Sequence, residues 1–107
     1  MDFSIRVLRL CGKLPDCPEA QAIRKQLIRS GTSPGAHYRE AARGRSTAEF
    51  ASKLNGGLQE LDETAYWLEL IVHAKLHDTP EIRDLIRETD ELTRIFVACI
   101  RNAKTSD

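Results

Sequence analysis

His73 and His77 stand four residues apart, a spacing that sets two imidazoles on one helix face and could supply half of a metal site. Only Asp78 follows them, just past the segment, and no other carboxylate or thiol sits where it would complete a zinc set. They read as exposed helix-end residues suited to the negative end of the helix dipole. Ser33, His37 and Glu40 fall in the order nucleophile, base, orienting carboxylate along one helix. Nothing around them supplies an oxyanion site, so packing and capping explain them better. Glu60 and Glu63 could act as paired acid and base, but an ion pair with Arg29 is the simpler reading. Gly56 and Gly57 lie inside a helical segment and form no phosphate-cradling loop. The sequence therefore offers no catalytic residue, no metal set and no cofactor site, and the expectation is a protein that is not an enzyme.

The remaining chemistry is basic. On a helical wheel Lys25, Arg29, Thr32, Arg39 and Arg43 fall opposite Ile23, Leu27 and Tyr38, and Arg45 and Lys53 continue the set past a turn. Such a stripe can neutralise phosphates, which makes Lys25, Arg29, Arg39, Arg43 and Arg45 candidate contacts to RNA or DNA. The competing readings are a solvated outer face and a subunit interface.

The chain has 107 residues with sixteen basic and sixteen acidic side chains, so its formal net charge is zero. Residues 1–53 carry ten Lys/Arg against five Asp/Glu, and residues 54–107 carry six against eleven. That asymmetry can mark a nucleic-acid face or complementary surfaces, while overall neutrality argues against strong nonspecific binding. One domain is expected from the length. No apolar run approaches the ~20 residues that a membrane span needs. Asp2 and Arg6 interrupt the start, so neither a secretory signal nor a membrane partner is expected. Cys11, Cys17 and Cys99 are odd in number and lack CxxC spacing, which suits reduced thiols in a cytoplasmic protein.

Four helical segments must position these residues: 2–14, 18–43, 47–76 and 80–101. Phe3, Val7, Leu10, Cys11 and Leu14 give a short first helix, stopped because the residue before Pro15 avoids helical geometry. Asp16 or Cys17 caps the second, which Arg43-Gly44-Arg45 closes. Its stripe, Ala20, Ile23, Leu27, Gly31, Pro34, Tyr38 and Ala41, runs through a Ser, Gly, Thr and Pro cluster. Pattern alone leaves a helix kinked at Pro34 and a helix-loop-helix both open. Ser46 to Glu49 is a capping box opening the third helix, whose stripe is Phe50, Leu54, Leu58, Leu61, Ala65, Leu68 and Val72. Thr79 caps the fourth and Pro80 starts it, with Ile82, Leu85, Thr89, Leu92, Phe96 and Cys99 inward; Ile86, Ile95 and Ile100 widen that stripe. Residues 102–107 are expected to fray. These near-heptad spacings favour an all-α, antiparallel up-down four-helix bundle.

An antiparallel hairpin turning about Gly44–Ser46 would bring Gly31, Ser33 and Gly35 level with Gly56 and Gly57. Glycine inside a helix costs about 0.8–1 kcal/mol relative to alanine. Clustering there suggests that the two helix backbones approach closely. Tyr66 and Trp67 occupy neighbouring faces of the third helix. One core cannot easily bury both along with Leu70 and Ile71, so the pair is a candidate oligomer interface.

The segment Gln26–Ala41, followed by Arg45–Phe50 and Glu63–Leu68, resembles the bacterial four-helix bundle family of the 23S rRNA intervening-sequence proteins. More distantly, it is similar to the accessory variability determinant of diversity-generating retroelements. The likeness is densest over Gln26–Ile71 and extends over Phe3–Ile100. Pro34 and His37 depart from the pattern, where an aliphatic residue and asparagine are expected. The resemblance favours the continuous second helix, kinked near Pro34, over a helix-loop-helix, and it implies a homopentamer. For the retroelement relatives it also implies partners in nucleic acid and a reverse transcriptase. The functional expectation is an oligomeric accessory module acting on RNA or DNA, with a pure protein-interaction scaffold as the alternative.

Overall fold

In the computed structural model, which describes residues 1–105, the first helix α1 spans Asp2–Gly12 and buries Phe3, Val7, Leu10 and Cys11. It ends two residues short of the expected Leu14. The amides of Lys13 and Leu14 bond back to Leu10 and Cys11 in a tightened turn. Arg24, from the next helix, donates to the carbonyls of Cys11, Leu14 and Pro15 (2.9, 3.1 and 3.3 Å) and satisfies the groups that this ending leaves open.

Helix α2 spans Pro18–Ala42 and runs unbroken through Pro34. Pro34 is buried, so its ring is core surface as well as a missing donor. Cys17 is the N-cap but makes no side-chain cap bond; Asp16 instead accepts from the Gln21 side chain at 2.7 Å. The buried face is Ala20, Ile23, Leu27, Ser30, Gly31, Pro34 and Ala41. Tyr38 was expected on that face, yet it is 52% exposed. Its neighbour His37 turns inward, because Gly56 and Gly57 of the third helix leave room for an imidazole there.

Helix α3 spans Thr47–His73. Ser46 accepts from the Glu49 amide at 3.1 Å, and the Glu49 carboxylate reaches back to the Arg45 amide at 3.2 Å, one residue earlier than a standard capping box. The buried line is Ala51, Leu54, Gly57, Leu61, Thr64, Leu68 and Ile71, so the stripe is centred about one position from the expected one. Phe50, Leu58 and Val72 flank it, half-buried. The helix stops three residues before Leu76. Lys75 takes φ 60°, its amide bonds to Val72, and the Leu76 amide bonds to Ile71 at 3.0 Å, forming a Schellman ending without glycine.

Helix α4 spans Pro80–Thr105, with the Ile82 amide donating to the Thr79 hydroxyl. It continues four residues past the expected end; Ser106 and Asp107, the rest of the expected frayed tail, lie outside the described residues. Ile82, Leu85, Thr89, Phe96 and Ile100 are buried, whereas Ile95 is exposed. Its position one residue from Phe96 turns it off the core.

The four helices form an antiparallel, all-α, up-down bundle in which each packs on its chain neighbours and α1 closes against α4. Buried polar side chains are satisfied inside it: Thr64 donates to Ser30 Oγ at 3.0 Å, and Thr89 donates to the Leu85 carbonyl at 2.7 Å. The register of α2 on α3 is set by Ser30 against Thr64, His37 against Gly56, and Glu40 against Lys53. That is nearly one turn from the expected alignment, and it changes what the glycines do. A Cβ at Gly31 would lie 2.7 Å from Val7 Cγ1 of α1. At Gly57 it would meet Phe96 of α4 at 2.6 Å, and at Gly56 it would meet His37 at 2.9 Å. The glycines are sockets for side chains from three helices, in place of the two-helix backbone seam that the sequence suggested.

Candidate nucleic-acid interface

The expected basic stripe divides when placed on the bundle. Arg29 donates to Glu60 at 2.9 Å and to Glu63, which also accepts from the Trp67 indole N–H at 3.2 Å. The Arg29 hydrogen bond, with that of Trp67 behind it, holds the Glu63 carboxyl below the usual carboxylate range, and Glu63 in turn raises Arg29. Arg29 is thus engaged with its own fold. Lys25 is exposed but lies fourteen residues before Arg39, about 20 Å along the helix axis. Neither shares a patch with the others.

Arg39 and Arg43 lie one turn apart at the end of α2 and border one groove, and Arg45 follows in the turn that leads to α3. Lys104 borders the same hollow as Thr47, Ser52 and Asn55, which brings the end of α4 to the start of α3. Residues 39–55 and 96–105 contain six basic and two acidic side chains. Glu40 is taken by Lys53 at 3.1 Å, and Glu49 by the Arg45 amide. Among the described residues, this leaves Arg39, Arg43, Arg45, Arg101 and Lys104 without an ion pair. Sequence reasoning missed Arg101 and Lys104 because they lie more than fifty residues from the others. A signal was available: no acidic residue occurs between Leu92 and Thr105.

The disfavoured catalytic groupings do not assemble. Ser33 Oγ donates to the Arg29 carbonyl at 2.6 Å, and Glu40 faces Lys53. His37 packs on Gly56 and Gly57 with its Nδ1 buried and lacking a hydrogen-bond partner. No group of three or more His, Cys, Asp or Glu side chains that could hold a metal is found among the described residues. Cys11, Cys17 and Cys99 are free. Among the same residues, no helix is long and apolar enough to cross a membrane.

The aromatic pair splits as well. Trp67 is half-buried against the core, while Tyr66 is 57% exposed and meets it edge-on, ring centres 5.0 Å apart. A second apolar surface lies on the opposite side, around Met1, Ile5, Leu8, Tyr38 and Ile95, all exposed.

The profile of the 23S rRNA-intervening sequence proteins matches residues 1–98. The chain belongs to that family. It is also similar to a protein of unknown function from the S23 ribosomal protein family of Bacteroides thetaiotaomicron, whose crystal structure superposes with a TM-score of 0.85. The two chains are 33% identical, and the match covers 92% of each. Curated proteins give no match. Family membership thus accounts for the bundle, while the name of the family speaks of ribosomal RNA without assigning an activity to this chain.

Proposed function

We propose that this chain is a non-enzymatic, self-associating module of the cytoplasm that binds RNA or DNA phosphates through the basic end of its bundle. The observation that carries the reading is a run of exposed cations at this end that have no ion pair among the described residues. Arg39 and Arg43 lie at the end of α2, Arg45 in the turn after it, and Arg101 and Lys104 on the last turns of α4, which reaches the start of α3. Phosphate contacts fix position without reading bases, so sequence preference should be slight. Self-association, with five chains as the family resemblance implies, would repeat the basic end around a ring and strengthen a weak patch. Exposed Tyr66 fits a role at the contact between chains. The resemblance to retroelement accessory proteins adds a reverse transcriptase as a candidate partner.

The test is Arg43→Glu combined with Lys104→Glu, titrated with labelled single-stranded RNA, single-stranded DNA and duplex DNA at several salt concentrations. Each phosphate contact steepens the log–log salt dependence by roughly 0.7–0.9, so losing two should flatten it by roughly 1.5. Lys25→Glu serves as the control and should change little. Equal binding by the double variant would move the site; no binding by the parent protein at low salt would remove the nucleic-acid role. Light scattering reporting a monomer at micromolar concentration would remove the assembly. The scaffold reading is favoured separately by the apolar surface around Tyr38 and Ile95.

A further inference from the structure

Helix α1 has 11 residues where α2, α3 and α4 have 25, 27 and 26. Arg6 pairs with Glu88, and Lys13 with Glu81 at 2.6 Å, so Asp2 comes level with Leu92. Helix α4 then runs on to Thr105, about 20 Å further, with no α1 beside it. Over that length the bundle has three helices and an open fourth position. Tyr38 of α2 closes part of the gap by lying on Phe96 of α4, ring centres 6.2 Å apart, but stays half exposed itself. A groove of about 890 Å³ begins along the first two turns of α1 and opens past its start into this gap, lined by Met1, Ile5, Leu8, Tyr38, Leu92 and Ile95. Met1 is 80% exposed, Ile95 52% and Leu8 46%.

We propose that this groove docks an acidic amphipathic α-helix from a partner protein, three to four turns long, which completes the fourth position of the bundle. The charged residues in the lining are Arg39, Glu40 and Arg43. Glu40 is occupied by Lys53, so the groove presents two guanidiniums that have no ion pair among the described residues, beside an aliphatic floor. That combination matches a helix with apolar side chains at i, i+3 or i+4 and i+7 and carboxylates on its flank. A helix satisfies its own backbone, which an aliphatic floor could not do for an extended strand. Single-stranded nucleic acid fits less well: it needs stacking surfaces, and here only Tyr38 offers an exposed ring, Phe96 being buried. A second copy docked about a two-fold axis through this groove would bring Arg39 and Arg43 of one chain against their equivalents, a like-charge contact. A ring of five would set a different patch against it, which the oligomeric state of the groove variant tests.

The groove and the phosphate-binding basic end are separate surfaces that share a border at Arg39 and Arg43. The probe is a fluorescein-labelled, lactam-stapled peptide of about fifteen residues, leucine on one helical stripe and glutamate elsewhere, followed by anisotropy against the full chain. The expected result is saturable binding, at least ~tenfold weaker for an isomer with lysine at each glutamate and for the variant Leu8→Ala with Ile95→Ala. Both residues are exposed, so this variant should keep its helical circular dichroism and its salt-dependent nucleic-acid binding; loss of the latter alone would concern only the basic end. No anisotropy change, equal binding by the lysine isomer, or equal binding by the variant would overturn the proposal. Conversion of an oligomer to a monomer by the same variant would also overturn it, assigning the groove to a second copy of this chain.

Discussion

Gly31→Ala should destabilise the bundle even though alanine is the better helix former. The added Cβ would sit 2.7 Å from Val7 Cγ1, 3.1 Å from Cγ2 and 3.2 Å from Cβ. Val7 is fully buried, and a β-branched side chain in a helix has essentially one rotamer, so it cannot swing aside. Overpacking of this kind costs about 1–3 kcal/mol, against a gain of about 0.8–1 kcal/mol in helix propensity. The net is a loss of up to about 2 kcal/mol. Gly35, one turn on, is the control: a Cβ there meets only Ser4 Oγ, at 3.7 Å. Gly35→Ala should therefore gain about 0.5–1 kcal/mol. Urea denaturation followed at 222 nm, at one protein concentration, should separate the two variants by about 1 M in midpoint if the slope is about 2 kcal/mol per molar. In a Val7→Ala background the clash disappears, and Gly31→Ala should become stabilising, a coupling of about 1–3 kcal/mol. If Gly31→Ala and Gly35→Ala both stabilise equally, the reading of Gly31 as a socket for Val7 is wrong.

Lys75 holds the left-handed position of the Schellman ending at φ 60°, so Lys75→Gly should raise stability by about 0.5–1 kcal/mol; an unchanged or lower urea midpoint would contradict that geometry. Burial pushes the Cys11 thiol up to about 11, only partly opposed by Arg24. Its folded value is raised, so stability is unaffected by this thiol below pH ~9 and falls as the pH rises towards 11. In native protein at pH ~8, Cys17 and Cys99 should alkylate while Cys11 does not until the chain unfolds; mass spectrometry showing Cys11 modified in folded protein would refute its sequestration.

Local chemistry determined where the helices begin. Ser46 with Glu49 and Thr79 with Pro80 mark starts because a cap satisfies amides within a few residues, and the structure uses both signals. The repeat of apolar residues likewise specified four amphipathic helices and their bundle, since each stripe needs a partner. Helix ends were less legible: Lys75 ends α3 in a conformation that lysine does not advertise. Register belonged to the tertiary structure. A shift of nearly one turn between α2 and α3 turned Gly56 and Gly57 from a supposed seam into the seat of His37 and Phe96, and left Tyr38 outside. The basic candidates followed the same logic. Wheel geometry placed Arg29 and Arg43 on one face, but it carries no information about the opposite helix, where Glu60 and Glu63 await Arg29 and nothing acidic awaits Arg43. Lys104 reaches the start of α3 only because antiparallel packing returns the end of α4 to the turn between α2 and α3. Charge and periodicity are properties of single segments and can be read along the chain. Which charges cancel, and which face lies open, depends on contacts between residues far apart in it.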